Sequence, residues 1–537
     1  MTGFVKIKDG RRFETTIIHI GETIMQKVTR RRFLGQSVAA ATAVAGAGFA
    51  APHLALSQGG NVSPNEQMGV VIIGAGGRGL GSHCDQWVRN RNTRILSICD
   101  PDSQVGNKAC ETMAERNGFK PKFVADMREA FEDRNLVIMS CASTNHWHAL
   151  SGIWAMQAGL HCFIEKPISH NVHEGQALIA AAKKYGKCVQ TGSQCRSCWS
   201  NIEANKFIRA GGIGEARFAR GLCYKRRRSI GAKGEYPVPE TVDYDLWSGP
   251  APLVPSTRPN FHYDWHWQRL YGNGDLGNQG PHQTDIARWH LGIDRFPDSV
   301  VSYGGRLGYD IERNHPDYID AGDTANTETS IFDYGDKCIV FEVRGLETLA
   351  YKGASVGVIV YGSEGYLVQQ EYDYSFACDN DGNVIKEFRG GKDDVSSNNL
   401  VGGTDDAHFI NFIDAIKTDN PGILAADARC GHLSAGMSHI GNISYYLGEN
   451  NKVSPGEAKR ILEGIKSLDD NSATLGRMVE HLTSDRNRVD LRKTPIAMGP
   501  LLKMDPDQEV FIGNDEANAM LTRDYRFPYV VPAIDKV

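Results

Sequence analysis

From residue 68 onward, short apolar runs alternate with longer stretches of helical periodicity. Met68–Ile73, Arg94–Cys99, Leu136–Ala142, His161–Ile164 and Cys188–Thr191 are compact runs of the kind that form strands buried on both faces. Between them, 146–159 and 171–185 place apolar residues at helical spacing. Repeated βα units through residue 191 predict a doubly wound parallel sheet. The rhythm then changes. Runs at 216–224, 300–304, 327–332, 338–343 and 356–361, with turns at Gly362–Gly365 and Asp379–Asn383, predict a β-meander and an open, mainly antiparallel sheet. Helical patterns return at 405–417 and at 425–447, where Gly448 stops the second. The expected class is α/β: a Rossmann domain over 66–191, an α+β domain over 192–450, and a C-terminal extension over 451–537.

Composition narrows this little. The chain has 537 residues with a formal net charge of −5, so no global excess of basic charge points to nucleic acid. Twelve cysteines in so long a chain are not a disulfide scaffold. One CxxC, Cys195 to Cys198, has no second pair to complete a four-ligand zinc set. No metal site is expected.

The N-terminus reads as an address over residues 1–57. Arg30-Arg31 followed by Phe33-Leu34 resembles the twin-arginine motif, and an uncharged Ala/Gly-rich stretch from Ser37 to Ala51 follows. The expectation is recognition by the twin-arginine export machinery and a periplasmic or otherwise exported protein. Met25 would open a signal of ordinary length, so the true start is expected there.

The first strand leads directly into Gly74-Ala75-Gly76-Gly77-Arg78-Gly79. Such a G-x-G-x-x-G at a helix start lets the backbone approach a pyrophosphate, which rests on the helix N-terminal amides. Asp100 ends the second strand, where an acid accepts hydrogen bonds from the adenosine ribose and repels a 2′-phosphate. The expected cofactor is NAD, with NADP disfavoured.

Two more segments fall on the carboxyl edge of this sheet. They are the loop Ser143-Thr144-Asn145-His146-Trp147-His148 and the tripeptide Glu165-Lys166-Pro167. Together with the glycine motif they resemble the Gfo/Idh/MocA oxidoreductase family, which includes glucose–fructose oxidoreductase and inositol dehydrogenase. The resemblance spans nearly all of 66–450. It implies that Ser143, Asn145 and His148 lie along the cofactor with Gly74, Gly76, Gly77, Arg78, Gly79 and Asp100. It implies that Glu165 lies by the nicotinamide ribose, that Lys166 hydrogen-bonds the reacting hydroxyl, and that Pro167 is cis. It also implies a second-domain sheet with one face over the cofactor and the other in a homo-oligomer contact, dimer or tetramer.

In the second domain, the glycine-rich segment ending Asn278-Gln279-Gly280-Pro281-His282-Gln283-Thr284-Asp285 resembles the family's Asp-x-x-x-His-x-x-Asp, with Asn278 in place of the first Asp. On one helix Asn278, His282 and Asp285 share a face. Oxidising an alcohol needs a base for the hydroxyl proton, and histidine's ordinary pKa, about 6.5, suits that role. The expected catalytic set is therefore Lys166, His282, Asn278 and Asp285. Upstream, residues 261–271 crowd aromatics and histidines. Flat rings beside polar groups suit sugars, so Trp265, His266 and Tyr271 are candidate substrate contacts, against the plainer reading of a packed aromatic loop.

Three functions follow. The first is an NAD-dependent oxidoreductase acting on a sugar, polyol or glycoside carbinol. The second is a redox-neutral NAD-dependent glycoside hydrolase or lyase, working through a transient keto-sugar. The third is a non-enzymatic, cofactor-bearing sugar-binding protein.

Overall fold

A computed structural model describes residues 67–90, 92–390 and 404–537. The export motif, its apolar stretch and Met25 lie outside the described residues. The first sheet has six parallel strands in the order β3-β2-β1-β4-β5-β6. They are β1 (Met68–Ile73), β2 (Thr93–Cys99), β3 (Lys122–Val124), β4 (Leu136–Cys141), β5 (His161–Ile164) and β6 (Val189–Thr191). The order reverses between β1 and β4, which opens a crevice at their carboxyl ends. A π-type turn, Gly79–Cys84, follows β1 and runs into α1 (Asp85–Arg89). The longer helices are α2 (Ser103–Asn117), α3 (Asn145–Gln157) and α4 (Val172–Tyr185). Their starts are chemically marked: Asp102 and Asn171 cap α2 and α4 through side-chain oxygens.

Apolar side chains leave both faces of the strands. Val71, Ile73 and Met139 pack with Leu150, Ile153 and Leu178 of α3 and α4. Val70, Ile72 and Ile138 pack on the other face with Trp87, Phe409 and Phe412. The last two belong to α8 (Thr404–Lys417), so chain from beyond the second sheet completes the first domain's core.

With β12 (Gly365–Glu371), β13 (Tyr374–Asp379), β14 (Val384–Arg389), β15 (Lys452–Val453) and β16 (Ile496–Met498) toward its edges, the second sheet runs β14-β13-β12-β11-β7-β10-β9-β8-β16-β15. Its central members are β7 (Phe218–Tyr224), β8 (Ser299–Gly305), β9 (Thr327–Asp333), β10 (Cys338–Arg344) and β11 (Val356–Tyr361). The β7–β10 pair is parallel, whereas β8–β9, β9–β10 and β7–β11 are antiparallel. Its inner face packs on α7 (Gly280–Leu291) and α9 (Ala428–Leu447) through Ile286, Leu291, Met437 and Ile440. Near β8–β10 the outer face is covered by the chain's own tail. Leu462 of α10 (Pro455–Glu463) and Leu475, Met478 and Leu482 of α11 (Asn471–Thr483) bury Val301, Ile331 and Val340. That part of the face, expected to contact another subunit, is therefore filled intramolecularly. A buried ion network lies there too: Glu342 takes Arg220, Arg344 and Arg477, with Tyr224 donating to it at 2.7 Å.

Candidate active site

A cleft of about 780 Å³ follows the carboxyl edge of the first sheet and is closed on its far side by the second domain. Gly74, Gly76, Gly77, Arg78, Asp100, Ser143, Asn145, His148, Glu165 and Lys166 line it, as do Trp265, His266, Asn278 and His282.

The glycine motif is built as a cradle. Gly74 has φ +83, and a Cβ there would press on the Ser143 backbone at 2.7 Å. At Gly79 a Cβ would meet the Gly74 carbonyl at 1.9 Å, so the helix start lies directly on the loop. Gly76 and Gly77 face open space, with nothing within 4 Å of an added Cβ. A pyrophosphate fits that bare backbone at the start of the Gly79–Cys84 turn. Asp100 accepts from the Ala75 and Asp102 amides at 2.8 and 2.9 Å. Burial pushes its carboxyl up to about 6, against those two amides. The residues present thus fit NAD: a bare cradle for the phosphates and an acid for the ribose.

The loops at the sheet edge are braced rather than simply exposed. The two His148 ring nitrogens lie 2.6 Å from the Pro167 carbonyl and 3.0 Å from the Ser143 carbonyl, and whichever carries the proton donates, so the ring braces the β4 loop against the β5 loop. Asn145 donates to Asn273 across the domain boundary at 3.3 Å. Lys166–Pro167 is a cis peptide.

Glu165 is held by an arrangement the sequence did not reveal. Its Oε1 takes Arg78 Nε at 2.6 Å and lies 3.2 Å from His83 Nε2. The other His83 nitrogen meets Ser140 Oγ, which also accepts from the Trp87 indole. Burial alone would raise the Glu165 carboxyl, but Arg78, His83 and Lys166 outweigh it and hold it well below the usual range. His83 follows Gly79 by four residues in a segment with no strong motif, so the only signal was its place on the helix after the glycines.

Lys166 points to the opposite wall. Its Nζ donates to the Asn278 carbonyl at 2.7 Å and to Asn278 Oδ1 at 3.3 Å. Burial lowers its pKa to about 8; Glu165 opposes this, while Arg78, Arg227 and Lys225 reinforce it. His282 lines the same cleft, buried, with no hydrogen-bond partner for Nδ1 among the described residues. Burial first, then Lys166, push its pKa down to about 3.

Three expectations need correction. Asn278 and His282 do not share one helix. Asn278 ends the short α6 (Gly274–Asn278), and Gln279 interrupts the helix before α7 begins. Asn278 therefore orients the lysine rather than the imidazole. Asp285 is not among the cleft-lining residues. Its carboxylate takes Arg196 twice, at 2.7 and 3.0 Å, and Ser434 at 2.8 Å. It is an internal ion-pair partner, and Arg196, between the two cysteines of the CxxC, is its counter-charge. Tyr271 is likewise absent from the lining. It is 3% exposed in an aromatic core with Trp247 and Phe261, under the Arg258 guanidinium. Trp265 and His266 do line the cleft and stack with ring centroids 3.6 Å apart. Burial holds His266 at about 3, hence neutral.

Residues 68–193 match the model described as "Oxidoreductase family, NAD-binding Rossmann fold", and residues 227–341 match "Oxidoreductase family, C-terminal alpha/beta domain". Both matches are to models of the Gfo/Idh/MocA oxidoreductase family. The first domain matches an NAD-binding Rossmann fold, and its glycine motif, Asp100 and Glu165-Lys166-Pro167 all lie inside the matched segment. Levoglucosan dehydrogenase of Pseudarthrobacter phenanthrenivorans is 27% identical over 190 residues, 35% of this chain and 41% of that protein. Glycosyl hydrolase family 109 protein 1 of a Shewanella species is 28% identical over 178 residues, 30% of this chain and 39% of that protein. The chain thus aligns with about two fifths of the length of each of these curated relatives. Among solved structures, a levoglucosan dehydrogenase in complex with NADH and levoglucosan superposes with a TM-score of 0.51 at 18% identity, covering 69% of this chain and 95% of that one. That likeness establishes a shared fold.

Proposed function

We propose that the protein is an NAD-dependent oxidoreductase acting on the carbinol of a sugar, polyol or glycoside. The observation that carries this is that Lys166, bonded to Asn278, and His282, within electrostatic reach of Lys166, line the same cleft as the glycine cradle and Asp100. Bound in that cradle, NAD supplies the two-electron acceptor.

The chain's own groups then divide the work. Lys166, near 8, is the group whose proton affinity matches neutral-pH chemistry, and in its free-base form it takes the hydroxyl proton. Asn278 holds the amine in line without neutralising it, because an amide carries no charge. His282, near 3, stays uncharged and positions the hydroxyl by hydrogen bonding; it is too weak a base for the role expected of it from sequence. Trp265 and His266 offer a flat, neutral surface for a sugar's C–H face.

The second reading is redox-neutral glycoside cleavage, in which the cofactor ends each turnover as it began. It is favoured by the match of 30% of the chain to glycosyl hydrolase family 109 proteins. One experiment separates the two. Purified protein is screened against polyols, aldoses and aryl glycosides with and without added NAD. NADH accumulating with product supports the dehydrogenase, whereas aglycone release at constant NADH supports cleavage. Sugar binding with neither product would leave a binding protein.

We also propose twin-arginine export, on Arg30-Arg31 and the uncharged stretch behind them. Replacing both arginines by lysine should retain the protein in the cytoplasm; unchanged export would refute it.

A further inference from the structure

We propose that His262 is a cofactor-retention residue: by pairing with Asp102 it fastens a strap of the second domain over the adenosine half of the cleft, so that NAD leaves only when the strap releases. This rests on the NAD-binding reading above, and it concerns a residue 160 positions from its partner and outside any nucleotide motif.

His262 Nε2 lies 3.0 Å from Asp102 Oδ2. The imidazole is half exposed, at 49%, but the carboxylate is 3% exposed, so the pair is shielded on its acidic side. The other Asp102 oxygen accepts the Gln104 and Val105 amides that begin α2. This fixes the carboxylate before the imidazole arrives. Asp102 stands two residues after the ribose acid Asp100, and His262 itself lines the cleft.

The pair does not act alone. The Ser103 amide donates to the Thr241 carbonyl at 2.9 Å, and the Asp243 amide donates to the Pro101 carbonyl at 2.8 Å. The same excursion of chain contributes Leu246, Trp247 and Tyr263 to the cleft wall. It is held from outside by the tail, where Tyr529 Oη donates to Asp245 at 2.7 Å. These residues line one cleft with Asp100 and Lys166, and the His262–Asp102 fastening is tied to the ribose acid through the Asp102 amide, which donates to Asp100 at 2.9 Å. The backbone bonds at 241–243 survive a change at His262, so a substitution should loosen the strap without dismantling it.

The test measures release, not turnover. Protein loaded with radiolabelled NAD is diluted into excess unlabelled NAD, and loss of bound label is followed for wild type, His262→Ala and His262→Gln. A hydrogen bond to a charged group is worth enough to predict that the alanine variant releases label roughly tenfold or more faster. Glutamine, which still donates to Asp102, should recover most of the difference. Equal release rates for wild type and His262→Ala would overturn the strap while leaving the NAD reading intact. Wild-type protein that takes up no NAD would overturn both. A glutamine variant as leaky as alanine would also count against the pairing, since a donor at that position would then not be what holds the strap.

Discussion

Replacing Asn278 by Asp tests the proton-transfer assignment because it places a carboxylate where an amide oxygen lies 3.3 Å from Lys166 Nζ. With an effective dielectric of about 20, two unit charges at that separation attract by about 5 kcal/mol. Desolvation of the new carboxylate offsets part of this, leaving the upward shift of one to three pKa units, at about 1.4 kcal/mol each, that a close counter-ion typically gives. Lys166 starts near 8. The sign is fixed: oxidation needs the free amine, so kcat/KM rises with pH through the lysine pKa, and raising that pKa moves the rising limb to higher pH. Activity at neutral pH should fall by about tenfold or more, with near recovery in alkaline buffer. The assay is the pH profile of kcat/KM for Asn278→Asp against wild type, with whichever sugar or polyol the screen identifies. A limb that stays in place, or moves to lower pH, would show that Lys166 is not the titrating group.

Other perturbations probe separate parts of the account. Asp100→Ala should weaken NAD by about tenfold or more, through two lost ribose hydrogen bonds, and relax discrimination against NADP; equal selectivity in titration calorimetry would contradict the ribose role. Asp285→Ala leaves the half-buried Arg196 without its counter-charge and should cost about 3 kcal/mol of stability, with no displacement of the pH profile. A displaced profile would return Asp285 to the catalytic set. Glu342 is held near 2, because three arginines outweigh the burial that would raise it. With its folded pKa below the unfolded value, it contributes stability that is full above about 4.3 and lost as pH falls through 2. Glu342→Gln should therefore lower Tm at neutral pH and flatten the acid limb of thermal stability; an unchanged acid limb would refute this.

The first domain was legible because each of its elements is local. β1, β5 and the β4 run came from apolar runs bounded by glycine, Asp and turn residues, and they fall within a residue of the observed strands. The glycine motif and Asp100 were readable for the same reason: a strand, a turn and a helix start are consecutive in the chain. Lys166, His282, Trp265 and His266, singled out from sequence, all line the cleft. The failures share one cause. Asp285 and Tyr271 were judged by neighbours in sequence, but their environment is set by Arg196, Ser434 and Arg258, which arrive from elsewhere. The His83–Glu165 contact joins helix and strand 82 residues apart. The helices α10 and α11 were not expected, although their apolar residues recur at helical spacing, because no chemistry drew attention to the tail. His282 was given its ordinary basicity, and only burial beside Lys166 reveals that it stays neutral.

The most direct test of the central claim is single-turnover reduction of the bound cofactor. NAD-loaded wild type and Lys166→Met are mixed with substrate in a stopped-flow instrument, and reduced-nicotinamide absorbance is followed. Absorbance should rise rapidly in wild type and at a rate lower by about 10²-fold or more in Lys166→Met, with NAD still bound. Cofactor reduction at the wild-type rate in that variant would contradict the claim.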